Sequence, residues 1–226
     1  MRALICFGKR ARLRFISHLD LQRFMQRALR RTDLPVAYSQ GFNPHPQMAF
    51  ASALAMGWVS EYEILDVKMA QDVTAEHVKE QMSAALPKDL PVFFVRMVED
   101  RHPAMMAILT MADYEIRLEG EAGRRAAEAI PGFLQEQSVM AMRKTKSGEK
   151  PCDIRPMAVQ LRAENQEDGA LIYARLALTE RATLKPDLLV RVLAERAGLE
   201  EAPCAQVLRK TLLTGQGDQI RPLMEA

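Results

Sequence analysis

Two proline breaks constrain this chain more than any other feature. Leu34-Pro35 must end the helical pattern before it. Gly41-Phe42-Asn43-Pro44-His45-Pro46 excludes regular structure, because a glycine and two prolines fall together. Around these breaks the periodicity reads cleanly. Residues 12–16 alternate polar and apolar and predict a strand. Ser17 then looks like a helix N-cap, with Asp20 three residues on. The helix runs to about Arg31 on an apolar face of Leu21, Phe24, Met25, Ala28 and Leu29. Residues 36–39, 48–54 and 61–69 are strand-like. Thr74 opens a second helix over 75–86, stopped by Pro87, and 92–98 is the most β-rich run of the chain. The order β-α-β-β-α-β is the ferredoxin-like, or split βαβ, pattern.

The second half repeats the theme. Residues 114–119 read as a strand and 124–136 as a helix interrupted by Pro131-Gly132. Strands at 139–143 and 154–163 flank a basic loop, 144–150. A strand at 171–179 precedes a helix over 186–197, with proline in its first turn and Gly198 at its end. Residues 204–213 make a final strand. The expectation is an α+β chain of tandem ferredoxin-like halves, 1–100 and 107–226, the second with an extra or bent strand. A length of 226 residues accommodates two such halves.

No apolar run reaches the roughly 18 residues of a membrane span. The first ten residues hold no signal-peptide apolar region, so a cytoplasmic location is expected. Cys6, Cys152 and Cys204 lie far apart in no cluster- or zinc-binding spacing, so three reduced thiols and no metal or cofactor are expected. Neither a phosphate-binding glycine loop nor a nucleophile elbow is present.

A formal net charge of +2 conceals an asymmetry. Residues 1–60 carry nine lysines and arginines against two aspartates, a net +7, and the remainder carries −5. Arg23, Arg27 and Arg30 fall at i, i+4 and i+7 on one helix face. Arg12 and Arg14 would share one face of the preceding strand. Arginine forks suit phosphate, although such a stripe is also what a solvated helix face looks like. His18 and His45 flank this region beside Asn43. They suit an acid/base pair for RNA cleavage, hydrogen bonding to phosphate, or simple ordering of their own loops. The Pro-His loop is either a rigid functional loop or a stiff corner plugged by Phe42. A second basic run, Arg143, Lys144, Lys146, Lys150 and Arg155, is either a further anion contact or a solvated hairpin.

Residues 13–23, 27–31 and 34–46, from Leu13-Arg14-Phe15-Ile16-Ser17-His18-Leu19-Asp20 to Asn43-Pro44-His45-Pro46, together resemble the N-terminal signature of the radical SAM-linked family, DUF2344. Asp153-Ile154-Arg155-Pro156, Leu184-Lys185-Pro186-Asp187-Leu188-Leu189 and Arg209-Lys210-Thr211 are similar to its weaker motifs. Members are fused to, or encoded beside, a cobalamin-binding radical SAM protein, often near a ribonuclease of the E/G type. The resemblance therefore implies a partner that carries an iron-sulfur cluster, SAM and cobalamin. This chain lacks the three-cysteine cluster motif and cannot supply that chemistry itself. It departs from the family pattern at Gln47, where a basic residue is expected. The tandem halves with a Ser-His-Leu-Asp helix start are also similar, at fold level alone, to CRISPR RNA-processing endonucleases.

The expected function is a non-catalytic accessory module that presents an RNA, such as tRNA or rRNA, to the radical SAM protein. Its anion contacts would be Arg12, Arg14, His18, Arg23, Arg27, Arg30, Asn43, His45, Lys146 and Arg155. The alternative is a metal-independent endoribonuclease using His18 and His45. A third reading docks the basic face on an acidic protein.

Overall fold

The computed structural model describes residues 1–145 and 148–226. The chain is α+β and forms two compact units. Met1–Leu109 with Thr211–Ala226 make the first, and Thr110–Lys210 the second. The last sixteen residues thus leave the expected second half and join the first unit.

The first unit begins with a correction. Its first strand is β1 (Arg2–Lys9), and residues 12–16 fall in a 3-10 turn, Ala11–Phe15. Positions 3–9 of β1 are all buried, because the strand lies between two neighbours with both faces covered. A strand buried on both faces shows a continuous apolar run rather than alternation. The alternation in 12–16 came from arginines on a short turn.

After β1 come α1 (His18–Leu29), β2 (Met48–Phe50), β3 (Val59–Lys68), α2 (Ala75–Ala85) and β4 (Val92–Val98). Ser17 caps α1, its hydroxyl oxygen accepting from the Asp20 N–H at 3.1 Å. Thr74 caps α2 through the His77 N–H. β1 pairs antiparallel with β3 and β4, and β2 pairs antiparallel with β3, giving the order β4-β1-β3-β2. Residues 36–39 form only isolated bridges, Val36 to Met69 and Tyr38 to Pro46. Both helices cover one sheet face. Ile5, Phe7, Leu65 and Val67 meet Leu21, Met25, Val78 and Met82 in one core. A short helix α3 (Met105–Ile108) closes this segment. The C-terminal residues are pinned to the same unit: Arg96 donates to the Met224 and Ala226 carbonyls at 2.5 and 2.9 Å, and Thr214 to the Ile108 carbonyl at 2.6 Å.

The second unit contains β5 (Met111–Glu119), α4 (Gly120–Glu128), α5 (Ile130–Gln135), the hairpin β6 (Met140–Thr145) and β7 (Gly148–Asp153), then β8 (Ala158–Gln166), β9 (Gly169–Ala177) and α6 (Pro186–Arg196). β10 (Ala205–Thr214) begins here and ends in the first unit, where Leu213 and Thr214 pair with β11 (Arg221–Pro222). The sheet order is β10-β5-β9-β8. The proline in the expected 124–136 helix splits it into α4 and α5, with Pro131 in the first turn of α5. The expected 154–163 strand starts only at Ala158, after a 3-10 turn, Arg155–Met157, and the expected loop after 143 contributes instead to the β6–β7 hairpin that precedes β8. Gly169 is obligatory at the β8–β9 turn: its φ is +132°, and a Cβ there would meet the Leu118 carbonyl oxygen at 2.0 Å. Asp113 and Arg175, opposite each other on β5 and β9, form a two-pronged ion pair at 2.7 and 2.9 Å.

Candidate functional site

The Ala11–Phe15 turn is held from below by Lys9. Its side chain is 1% exposed, and its ammonium donates to the Arg14 and Ile16 carbonyls at 3.2 Å each. These bonds offset the cost of burying the charge. The Gly57 N–H adds a 2.7 Å bond to the Arg14 carbonyl. Arg12 and Arg14 consequently stand exposed on a fixed turn. The Arg14 guanidinium lies 4.6 Å from the Phe15 ring centroid, and Phe15 is 60% exposed.

The next stretch of chain extends this basic surface. Arg23, Arg27 and Arg30 are all exposed on α1. Arg23 faces Asp20 at 3.6 Å, while Arg12 and Arg27 make no hydrogen bond or ion pair among the described residues. Arg31, beside the stripe, donates to the Ala85 carbonyl at 2.9 Å and joins the end of α1 to the end of α2. Arg30 reaches the Pro44 carbonyl at 3.4 Å, which brings the arginine face to the Pro-His loop.

That loop is braced at both ends. The Ser39 N–H donates to the His45 carbonyl at 2.9 Å, and the His45 N–H returns a 3.1 Å bond to the Ser39 hydroxyl. The His45 Nδ1 also lies 3.1 Å from that hydroxyl. Gln47, at the position expected to be basic, donates its amide to the Tyr38 carbonyl at 3.0 Å. The reading of Phe42 as a plug is overturned: the ring is fully exposed at the loop tip, next to an exposed Asn43.

The two histidines hold separate positions. His18 is half-buried, with its ring edge-on to Phe50 at 5.0 Å between centroids. His45 is exposed beside Ser39. The chain is extended from residue 46 into β2, so His45 and Phe50 are separated by roughly 16 Å of backbone at 3.3 Å per residue. The two rings therefore have different surroundings, His18 packed on Phe50 and His45 hydrogen-bonded at Ser39.

The second basic segment behaves differently. Lys146 lies outside the described residues. Arg155 is a brace: its terminal nitrogens donate to the Ala158 and Leu134 carbonyls at 3.2 and 3.1 Å, and its guanidinium lies 5.8 Å from the Phe133 ring. Two of its donors are thus engaged by main chain, while its Nε is buried without a hydrogen-bond partner among the described residues. Asp153 organises this corner. It accepts from the Val139 and Arg155 N–H groups at 2.9 and 3.1 Å, and the Val139 bond foremost holds its carboxyl below the usual range. Burial pushes the Cys6 thiol up to about 12, with Glu63 adding to the effect.

Among the described residues no group of three or more His, Cys, Asp or Glu side chains is placed to hold a metal ion. No helix is long and apolar enough to cross a membrane. Sequence reasoning missed Lys9, Phe15 and Phe42 as site residues. The available signal was a lysine ending an apolar run and two phenylalanines among arginines and loop residues.

No curated protein matches this sequence. The model of a family described as uncharacterised proteins conserved in bacteria, DUF2344, matches residues 2–186, most of the chain. A basic, aromatic-bearing turn, helix and braced loop thus lie within the matched region, and the chain belongs to the DUF2344 family.

Proposed function

We propose that this chain is a non-catalytic accessory module that binds structured RNA, such as tRNA or rRNA, for a cobalamin-dependent radical SAM protein. One observation carries the RNA reading: exposed arginines stand among exposed aromatic rings. Arg12, Arg14, Arg23, Arg27 and Arg30 supply phosphate contacts, while Phe15 and Phe42 offer faces on which unpaired bases stack. A solvated helix face has no need of exposed phenylalanines. Asn43 and His45 add hydrogen-bonding groups beside Phe42, and His18 adds one at the start of α1. The radical SAM partner, which would hold the iron-sulfur cluster, SAM and cobalamin, rests on the resemblance of the motifs. We also read the chain as cytoplasmic and the units as ferredoxin-like halves. The strand orders β4-β1-β3-β2 and β10-β5-β9-β8 support the second of these readings.

The test is fluorescence anisotropy of the full chain with a labelled tRNA over a series of salt concentrations. Binding should weaken as salt rises, and Arg23→Glu with Arg27→Glu should weaken it at least tenfold. Equal binding by that variant sinks the RNA reading. The RNA is recovered afterwards and sized. Intact RNA is expected, and cleavage lost in His18→Ala would replace the accessory reading with the endoribonuclease one.

A further inference from the structure

The second unit contains a cleft of about 520 Å³ between β6 and α6. That size lies within the range of small-molecule sites. Four cationic side chains line it among the described residues: Arg143 and Lys144 from β6, Lys185 at the N-cap of α6, and Arg191 nearly two turns further along. Asp187 is the one carboxylate among the described lining residues, whose net charge is +3. Met142 and Leu188 supply apolar wall.

The two sides of the cleft are tied together. Arg191 donates a terminal nitrogen to the Met142 carbonyl, linking α6 to β6. Its Nε is buried without a hydrogen-bond partner among the described residues, and the nearest carboxylate oxygen, on Glu195, is 3.9 Å away. The cations therefore line a preformed recess rather than a free hairpin. Pro186 starts α6 without an N–H of its own, so the helix start offers few donors, and the side chains supply the positive charge.

We propose that this cleft binds a phosphorylated small molecule of nucleotide size. A surplus of three charges exceeds the single charge of a phosphodiester link. It matches a terminal phosphate, which carries about 1.5 to 2 negative charges at neutral pH, or a diphosphate, which carries more. Lysines and arginines from two elements can surround such a group, and the Met142–Leu188 wall can take a planar or apolar remainder. Polymeric RNA, with one charge per link, uses the surface on α1 instead.

The probe is ADP, titrated calorimetrically into the full chain, with pyrophosphate, adenosine and an unphosphorylated RNA oligonucleotide as comparison ligands. Saturable ADP binding is expected, with pyrophosphate competing and adenosine at least tenfold weaker. Lys144 and Lys185 are exposed, so Lys144→Glu with Lys185→Glu should leave the fold and its melting transition intact while lowering ADP affinity at least tenfold. A milder variant, Lys144→Ala with Lys185→Ala, should fall between. Arg23→Glu with Arg27→Glu should leave ADP binding unchanged, which separates this site from the RNA surface. No ADP binding at millimolar concentration overturns the proposal. So does undiminished binding by a folded charge-reversed variant, or an RNA oligonucleotide that displaces ADP from the cleft more tightly than pyrophosphate does.

Discussion

Arg30 donates to the Pro44 carbonyl at 3.4 Å, from the last turn of a helix to the centre of a loop fourteen residues on. This contact sets the Pro-His loop beside the arginine stripe. Because both partners are exposed, it contributes little to stability. Arg30→Ala should change unfolding free energy by no more than about 0.5 kcal/mol. It should nevertheless weaken RNA binding more than its one charge accounts for, because the loop loses its register. Urea denaturation beside anisotropy checks both halves. A slope of log affinity against log salt that falls by roughly 0.7–0.9, with no further loss, would leave Arg30 as a single phosphate contact.

Phe42 separates a binding role from a structural one. The ring touches too little of the protein to stabilise it, so Phe42→Ala should melt with the native chain. If a base stacks on it, RNA affinity falls by about 1–3 kcal/mol, largely independent of salt. An unchanged dissociation constant would assign RNA contact to the arginines alone.

Lys9→Met tests the support beneath the Ala11–Phe15 turn. The substitution preserves much of the buried volume but leaves the Arg14 carbonyl with one N–H partner and the Ile16 carbonyl without its ammonium. A loss of about 2–3 kcal/mol is expected in chemical denaturation. A variant as stable as the parent would mean that backbone hydrogen bonds, including the one from Gly57, hold the turn without Lys9.

Acid should loosen the corner at Asp153. Its folded pKa is depressed, so the carboxylate's contribution is fully present above the unfolded value of about 3.9. That contribution is lost as pH falls through the lower folded value. Asp66 works in the opposite sense: burial raises its pKa despite Arg2, so protonating it favours the folded chain. Asp153→Asn should flatten the acid limb of a stability–pH curve, and Asp66→Asn should steepen it. Curves that superimpose with the parent's would remove both assignments.

Much of the first unit was legible because its local signals agree. The Ser17 and Thr74 caps, the apolar face of α1, the breaks at Pro35 and Pro87, and the β-branched run 92–98 each fall where the periodicity put them. β1 was not legible as a strand, since burial on both faces erases alternation. In the second half, the break at Pro131-Gly132 was visible, but the turn that makes β6–β7 a separate hairpin was not. That turn depends on Asp153 bonding to residues on both sides of it, and such a contact leaves no periodic trace.

For the candidate site, the sequence alone determined where positive charge concentrates and that the Gly-Phe-Asn-Pro-His-Pro segment is a rigid loop. Those follow from composition and from the fixed φ of proline. Only the tertiary structure decided which charges are available. Lys9, Arg31 and Arg155 have equal charge in the sequence, yet each is used to satisfy main-chain carbonyls. Arg12 and Arg27 are left facing solvent. The reason is geometric: which carbonyls meet a donor is settled when chain segments come together, and a cation that reaches one has fewer donors left for a ligand.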